Sequence, residues 1–322
     1  MSSSTATHHG DEIIYELPDT IQIYRSGRVE RLVPDDIVPP SLDPDTGVQS
    51  KDVVINPSTN LSARLYLPPS AADTSRKLPV LVYYHGGSFC ILRAFSSLYH
   101  NFLNTLTAKA DVLTVSVDYR LAPENPLPAA YDDSWEALNW VISHAGAEPW
   151  LSDFGNLGKI FLAGDSAGGN IVNYLGLKLG SEGLKVEGLV PVHSYIWGKD
   201  RIGSEGAEWK KSKRSVKDAE GLWPIVCPGT VGLDDPWINP LADGAPNLAA
   251  LGCRRVLVCV GELDLLRERG RAYYEKLKEC GWEGEAEFME SGEEDHVFFL
   301  FKPQSSKTAE FIQRLANFFN KA

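Results

Sequence analysis

Apolar positions in this chain fall into two alternating patterns from about residue 79 to the C-terminus. Short, nearly continuous apolar runs, suited to strands buried on both faces, cover Pro79 to Tyr84, Val112 to Val117, Lys159 to Ala163, Val186 to His193, Arg255 to Val260 and Glu285 to Met289. Between several of these the spacing lengthens to that of one helix face: Tyr131, Trp135, Leu138 and Val141; Ile171, Leu175 and Leu179; Tyr273, Leu277 and Cys280. A last helix carries Phe311, Ile312, Leu315, Phe318 and Phe319 on one side. The alternation predicts an α/β fold with a mainly parallel central sheet flanked by helices. The ligand crevice of such a sheet lies at the carboxyl ends of its strands.

Upstream the pattern is different. After a polar start, Ile21 to Tyr24 and Val29 to Val33 read as short ordered pieces, followed by a proline-rich stretch from Pro34 to Pro40. Val53 to Ile55 and Ala63 to Leu67 are further strands, each closed by a nearby proline. Residues 1–50 are therefore expected to form an N-terminal cap segment and residues 51–322 one α/β domain. Residues 197–235 break the alternation, being charged and irregular with Trp209 and Trp223 isolated, and are expected to form a cap insertion over the crevice.

Composition narrows the partners. The 43 acidic against 31 basic residues give a formal charge of −12, which disfavours nucleic acid or an anionic membrane and suits a small neutral substrate. Lys210, Lys211, Lys213, Arg214 and Lys217 form the one basic cluster and read as a solvated face. Five cysteines, an odd number without a C-x-x-C pair, imply a reducing compartment. The N-terminus has no charged and apolar leader pattern, no segment reaches 18 uninterrupted apolar residues, and Asn320-Lys321-Ala322 is no retention address. A cytoplasmic location is expected. No G-x-G-x-x-G, Walker loop or H-E-x-x-H is present, so neither an organic cofactor nor a metal is expected. Asp43-Pro44-Asp45-Thr46-Gly47 departs from a calcium loop at its second position and reads as a plain turn.

The candidate chemistry starts at Gly164-Asp165-Ser166-Ala167-Gly168, between the run ending at Ala163 and a helix-like stretch. A Gly-x-Ser-x-Gly motif at a strand-to-helix turn places its serine as a nucleophile elbow, with glycines where neighbours crowd too closely for side chains. Serine needs a base, and the base needs a carboxylate to fix its tautomer. With chain order serine, acid, histidine, His296 in the polar loop Gly292 to Phe298 is the candidate base. His193, at the end of its own strand, competes for that role but precedes every plausible acid. His8, His9, His100 and His144 read as surface or packing positions. Asp264, in the turn after the strand ending at Val260, is the favoured acid, with Glu262 an alternative. Asp295 adjoins His296 in sequence, where side chains diverge. His85-Gly86-Gly87-Ser88-Phe89 follows its strand directly and fits an oxyanion loop: Gly86 supports the turn, and the amides of Gly87, Ser88 and Ala167 point at a developing alkoxide. Phe89, Tyr195, Trp197, Trp223, Leu265 and Phe298 are candidate pocket residues.

With these elements in order the chain resembles plant carboxylesterases of the hormone-sensitive-lipase type, within the α/β-hydrolase superfamily. The resemblance spans nearly the whole chain and includes Asp118-Tyr119-Arg120-Leu121-Ala122-Pro123-Glu124, Asp235 to Pro240, Gly281-Trp282 and Glu294 to Phe298. It implies Ser166 as nucleophile, Asp264 as acid, His296 as base and the His85 loop as oxyanion hole, with Arg120 and Glu124 bracing loops. It implies a serine carboxylesterase acting on a small-molecule ester. The same family includes dehydratases that form isoflavones from 2-hydroxyisoflavanones, which often carry threonine at the Ser166 position, and gibberellin receptors that lack the histidine. Two departures stand out: Ser88 replaces a third glycine of the loop, and Ser194 stands where relatives carry proline, at the crevice end of its strand.

Overall fold

The structure, a computed structural model, describes residues 11–73, 76–143, 148–205 and 215–321. His8, His9, His144, Trp209 and, except for Lys217, the basic cluster lie outside the described residues.

Eight strands form the central sheet: β4 (Gln49–Asn56), β5 (Leu61–Leu67), β6 (Leu78–Tyr84), β7 (Leu113–Asp118), β8 (Gly155–Asp165), β9 (Val186–Val192), β10 (Cys253–Gly261) and β11 (Glu285–Ser291). Their order is β11-β10-β9-β8-β6-β7-β5-β4. The six apolar runs are the six parallel strands, and β5 and β4 join one edge by antiparallel pairing. β4 begins at Gln49, so the expected boundary after residue 50 falls inside it.

The helices are α1 (Ser97–Ala110), α2 (Ala129–Ser143), α3 (Pro149–Phe154), α4 (Ala167–Ser181), α5 (Val216–Val226), α6 (Arg267–Glu279), α7 (Phe298–Phe301) and α8 (Ser306–Asn320). Successive residues of β9 show how they cover the sheet. Gly188 lies against Phe318 of α8, whereas Leu189 packs against Gly176 of α4. Adjacent strand positions face opposite ways, so α8 and α4 cover opposite faces. Phe161 of β8 completes the α8 side, its ring 5.0 Å from that of Phe319.

Before the main sheet, β1 (Ile13–Leu17), β2 (Ile21–Tyr24) and β3 (Val29–Arg31) form a separate antiparallel sheet. β1 was not anticipated, because Ile13 and Ile14 are both exposed and give no clean alternation. Arg31 fastens this sheet to the body: its guanidinium donates to the Cys90 carbonyl at 2.7 Å and pairs with Glu124 at 2.7 Å. Glu124 thus braces a loop, as does Arg120, whose fork grips Asp133 at 2.7 and 2.9 Å.

The 197–235 insertion holds more order than its composition suggests. Ser215 accepts from the Asp218 amide at 3.2 Å while Asp218 accepts from the Ser215 amide at 2.9 Å, a capping box that starts α5. That four-residue signature was readable in the sequence. A buried ion pair at 2.6 Å between Arg269 of α6 and Glu205 ties the insertion down. The Asp43 turn is closed locally, its carboxylate accepting from the Thr46 amide and hydroxyl.

Ser194 is buried, packs against Gly169 of α4 and has no partner for its hydroxyl among the described residues. It does not line the cavity described below. A buried hydroxyl without a hydrogen bond is a net cost of about 1–3 kcal/mol. Ser194→Ala is accordingly expected to raise the thermal midpoint without changing KM, checked by calorimetry and a single kinetic series.

Candidate active site

The carboxyl ends of β6, β8, β9, β10 and β11 bring the candidate residues together. Ser166 sits between β8 and α4 with φ +53° and ψ −114°, a backbone state that a non-glycine residue holds only when its surroundings force it. Its amide donates to the Val192 carbonyl at 2.9 Å, and its carbonyl accepts from the Tyr195 amide at 2.9 Å. The turn is tight enough that a Cβ on Gly168 would lie 1.9 Å from the Tyr84 carbonyl oxygen. Ser166 Oγ lies 3.0 Å from His296 Nε2, and His296 Nδ1 lies 2.8 Å from Asp264 Oδ2.

Asp264 is buried, and burial pushes its carboxyl up; the charge of His296 and the hydrogen bonds of His193 and His296 outweigh this and hold it well below the usual range. Its Oδ1 accepts from the Leu266 amide at 2.9 Å. Glu262 is elsewhere, accepting from the Glu293 amide at 2.8 Å. Asp295 accepts from the His296 amide at 2.7 Å.

The His85 loop runs beside the serine. Gly87 has φ +100°, and a Cβ there would lie 2.1 Å from the Ile91 carbonyl oxygen. Ser88 and Phe89 also have φ +59°, so Ser88 takes a conformation that suits the glycine it replaces. The amides of Gly87, Ser88 and Ala167 make no hydrogen bond among the described residues. The Gly86 amide is unlike these: it donates to the Tyr99 hydroxyl at 2.7 Å, so Gly86 is not a free donor. Tyr99 in turn donates to Asp165 Oδ2 at 2.9 Å, and Tyr83 to Asp165 Oδ1 at 2.7 Å. Burial raises the Asp165 carboxyl, opposed by these two hydroxyls. The pair Asp165 and Tyr99 thus ties the serine turn to the His85 loop. Tyr99 lay unannounced on the apolar face of α1. His85 stacks on Tyr119 at 4.2 Å and takes no part in the serine relay; burial lowers its imidazole.

A family model described as the α/β-hydrolase fold matches residues 81–300. The chain belongs to that family. Among its relatives, a probable carboxylesterase 2 of Arabidopsis thaliana is 45% identical over 96% of this chain and 97% of its own. A 2-hydroxyisoflavanone dehydratase of Glycyrrhiza echinata is 44% identical over 99% of both chains. Among solved structures, a thermostable carboxylesterase cloned from a metagenomic library has a TM-score of 0.71 at 26% identity, covering 89% of this chain and 90% of its own.

In this α/β-hydrolase chain a cavity of about 480 Å³ opens over Ser166, with Gly87, Ser88 and His296 also in its wall. The N-terminal cap contributes Leu17, Pro18, Thr20 and Val33, and α5 contributes Asp218, Ala219 and Leu222. Of the predicted pocket residues, Tyr195, Leu265 and Phe298 line it; Phe89, Trp197 and Trp223 do not. Phe89 is turned back edge-on to Tyr131 at 6.1 Å. Trp197 lies under Arg269 and Arg201, 5.3 and 5.5 Å from its ring. Trp223 is buried with its indole N–H donating to Thr230 at 2.7 Å. Large apolar side chains near the crevice went to packing wherever a neighbour covered them, which sequence spacing cannot reveal.

His193 was set aside as a base, and its ring makes no hydrogen bond to Ser166 among the described residues. Its Nδ1 does lie 2.7 Å from Asp264 Oδ2. Its place at the carboxyl end of β9, beside the serine strand, was the available signal. His193, Asp264 and His296 also bring ligand atoms within 4.8 Å of one another. Hydrogen bonding among them accounts for that grouping without an ion.

Proposed function

We propose that the protein is a serine carboxylesterase that hydrolyses small-molecule esters through an acyl-enzyme on Ser166. The carrying observation is the chain Ser166 Oγ, His296, Asp264, with contacts of 3.0 and 2.8 Å on the two ring nitrogens. His296 Nε2 takes the serine proton as Oγ bonds to the ester carbonyl carbon. The carbonyl oxygen becomes an oxyanion held by the amides of Gly87, Ser88 and Ala167. His296 returns the proton to the leaving alcohol, and water releases the acid by the same steps. No organic cofactor or metal enters these steps.

The 44% identity to a 2-hydroxyisoflavanone dehydratase favours a second reading. There His296 would serve as base and the loop amides would steady an enolate as water leaves. The receptor reading gains no support from the relatives above, which carry enzyme names. A cytoplasmic location belongs to the same proposal, supported by the free thiols of all five cysteines. No helix among the described residues is long and apolar enough to cross a membrane.

A fluorophosphonate probe is expected to label the parent on the peptide containing Ser166, with turnover of p-nitrophenyl acetate and butyrate. Absence of labelling and ester turnover, with turnover of a 2-hydroxyisoflavanone, would transfer the assignment to the dehydratase reading.

A further inference from the structure

His193 is 1% exposed and stands just past β9, where its amide donates to the Cys259 carbonyl at 2.8 Å. Its φ of +45° is in the left-handed region, which few residues other than glycine adopt. This turn carries the imidazole across Gly261 to the underside of the His296 loop; a Cβ on Gly261 would come within 3.0 Å of His193 Cε1. Phe298 and Phe299 close the remaining sides, their rings 6.0 and 6.2 Å away.

The Nδ1 atoms of His193 and His296 approach one atom, Asp264 Oδ2, at 2.7 and 2.8 Å. An ionised carboxylate accepts and cannot donate, so each Nδ1 carries a proton. The Val297 amide, 3.4 Å from His193 Nδ1, is then a donor beside a donor and leaves the shorter bond to Asp264 undisturbed. The Leu266 amide occupies Oδ1, so both carboxylate oxygens are held. The titratable groups acting on or around His193 are Asp264, Asp165 and His296.

We propose that His193 is a positioning residue: a second imidazole donor that clamps Asp264 Oδ2 in the place from which it orients His296. This rests on the esterase reading of the site and goes beyond it. Two consequences follow from the shared oxygen. Without His193 the carboxylate gains freedom to swing, and His296 loses its alignment with Ser166. Also, the share of carboxylate charge that His193 now takes passes to His296, which favours its protonated form.

The test compares His193→Phe with His193→Asn, whose side-chain N–H can take the place of Nδ1–H. With p-nitrophenyl butyrate, His193→Phe is expected to lose about 10²-fold in kcat with KM little changed, the penalty of a misplaced catalytic group. The acid limb of its kcat/KM profile is expected to move up by about one pH unit, and His193→Asn to recover most of both changes. A folded His193→Phe with parental kcat and pH profile overturns the proposal, as does an asparagine variant no better than phenylalanine. Should His193→Phe not fold, proton NMR of the parent decides: two strongly deshielded, exchange-protected imidazole N–H signals are expected, and one alone overturns it. Ser166→Ala separates the readings. If the parent has no Ser166-dependent turnover, the esterase reading fails while the NMR result still judges His193.

Discussion

Ser166→Ala is expected to lower kcat for p-nitrophenyl butyrate by about 10⁶-fold, leaving a protein that binds the ester and melts like the parent. The size of the loss follows from the geometry. The hydroxyl lies 3.0 Å from His296 Nε2, and Ser166 is in the wall of the cavity together with Gly87 and Ser88. Alanine removes the nucleophile and leaves a base with nothing to deprotonate except water. The amides proposed to hold the oxyanion are backbone groups and survive the substitution, so a residual rate about 10³- to 10⁴-fold above water should remain. The substitution also leaves the backbone demand of the turn in place, with φ +53° still forced on an alanine. Stability should therefore change little, because the close approach of the Tyr84 carbonyl to Gly168 and not the serine hydroxyl defines the turn. The checks are a stopped-flow search for the acyl-enzyme burst, expected only in the parent, and a melt of both proteins. A folded variant that retains even a hundredth of the parental kcat would show that Ser166 is not the nucleophile.

Asp264→Asn is expected to cost about 10⁴-fold in kcat, a large loss for so small a change in the side chain. Aspartate offers His296 an acceptor only, which holds the proton on Nδ1 and leaves Nε2 free to take the serine proton. Asparagine can turn an N–H toward the ring, which favours the wrong tautomer. His193 makes the same demand for an acceptor at 2.7 Å. The substitution also has a signature in stability. Asp264's carboxyl is held well below its ordinary value in the folded protein, burial being overcome by the two imidazoles. A depressed folded value means that the stabilisation is fully present above the unfolded value, about pH 3.9, and fades as pH falls below it toward the folded value. Thermal midpoints measured from pH 7 down to pH 3 should thus fall more steeply for the parent than for Asp264→Asn below about pH 4. Parallel curves would mean that the carboxylate is not specially stabilised in the fold.

Much of the site was legible because its parts sit at predictable places on the strands. The serine turn, the loop after β6, the acid turn after β10 and the histidine loop after β11 each follow an apolar run that buries itself whatever surrounds it. Local chemistry also marked the start of α5, although the charged composition around Ser215 concealed it. What eluded the sequence was which partner each side chain finds. Tyr99 differs in no way from the other apolar-face residues of α1, yet its hydroxyl bridges Asp165 and the Gly86 amide. Trp197 and Trp223 have the size and position of pocket residues, but arginine stacking claims one and cap packing the other.

By itself the sequence indicated the six parallel strands, the helices at 131–141, 171–179, 273–280 and 311–319, and the turns that carry Ser166, Asp264 and His296, because periodic burial and turn chemistry are local properties. Tertiary structure alone decided that Asp264 serves two imidazoles, that Gly86 is spent on Tyr99, and that the N-terminal sheet and α5 close over the same cavity. Those outcomes depend on distances between residues far apart in the chain, and hydrogen bonds are set within a few tenths of an ångström that no one-dimensional spacing encodes.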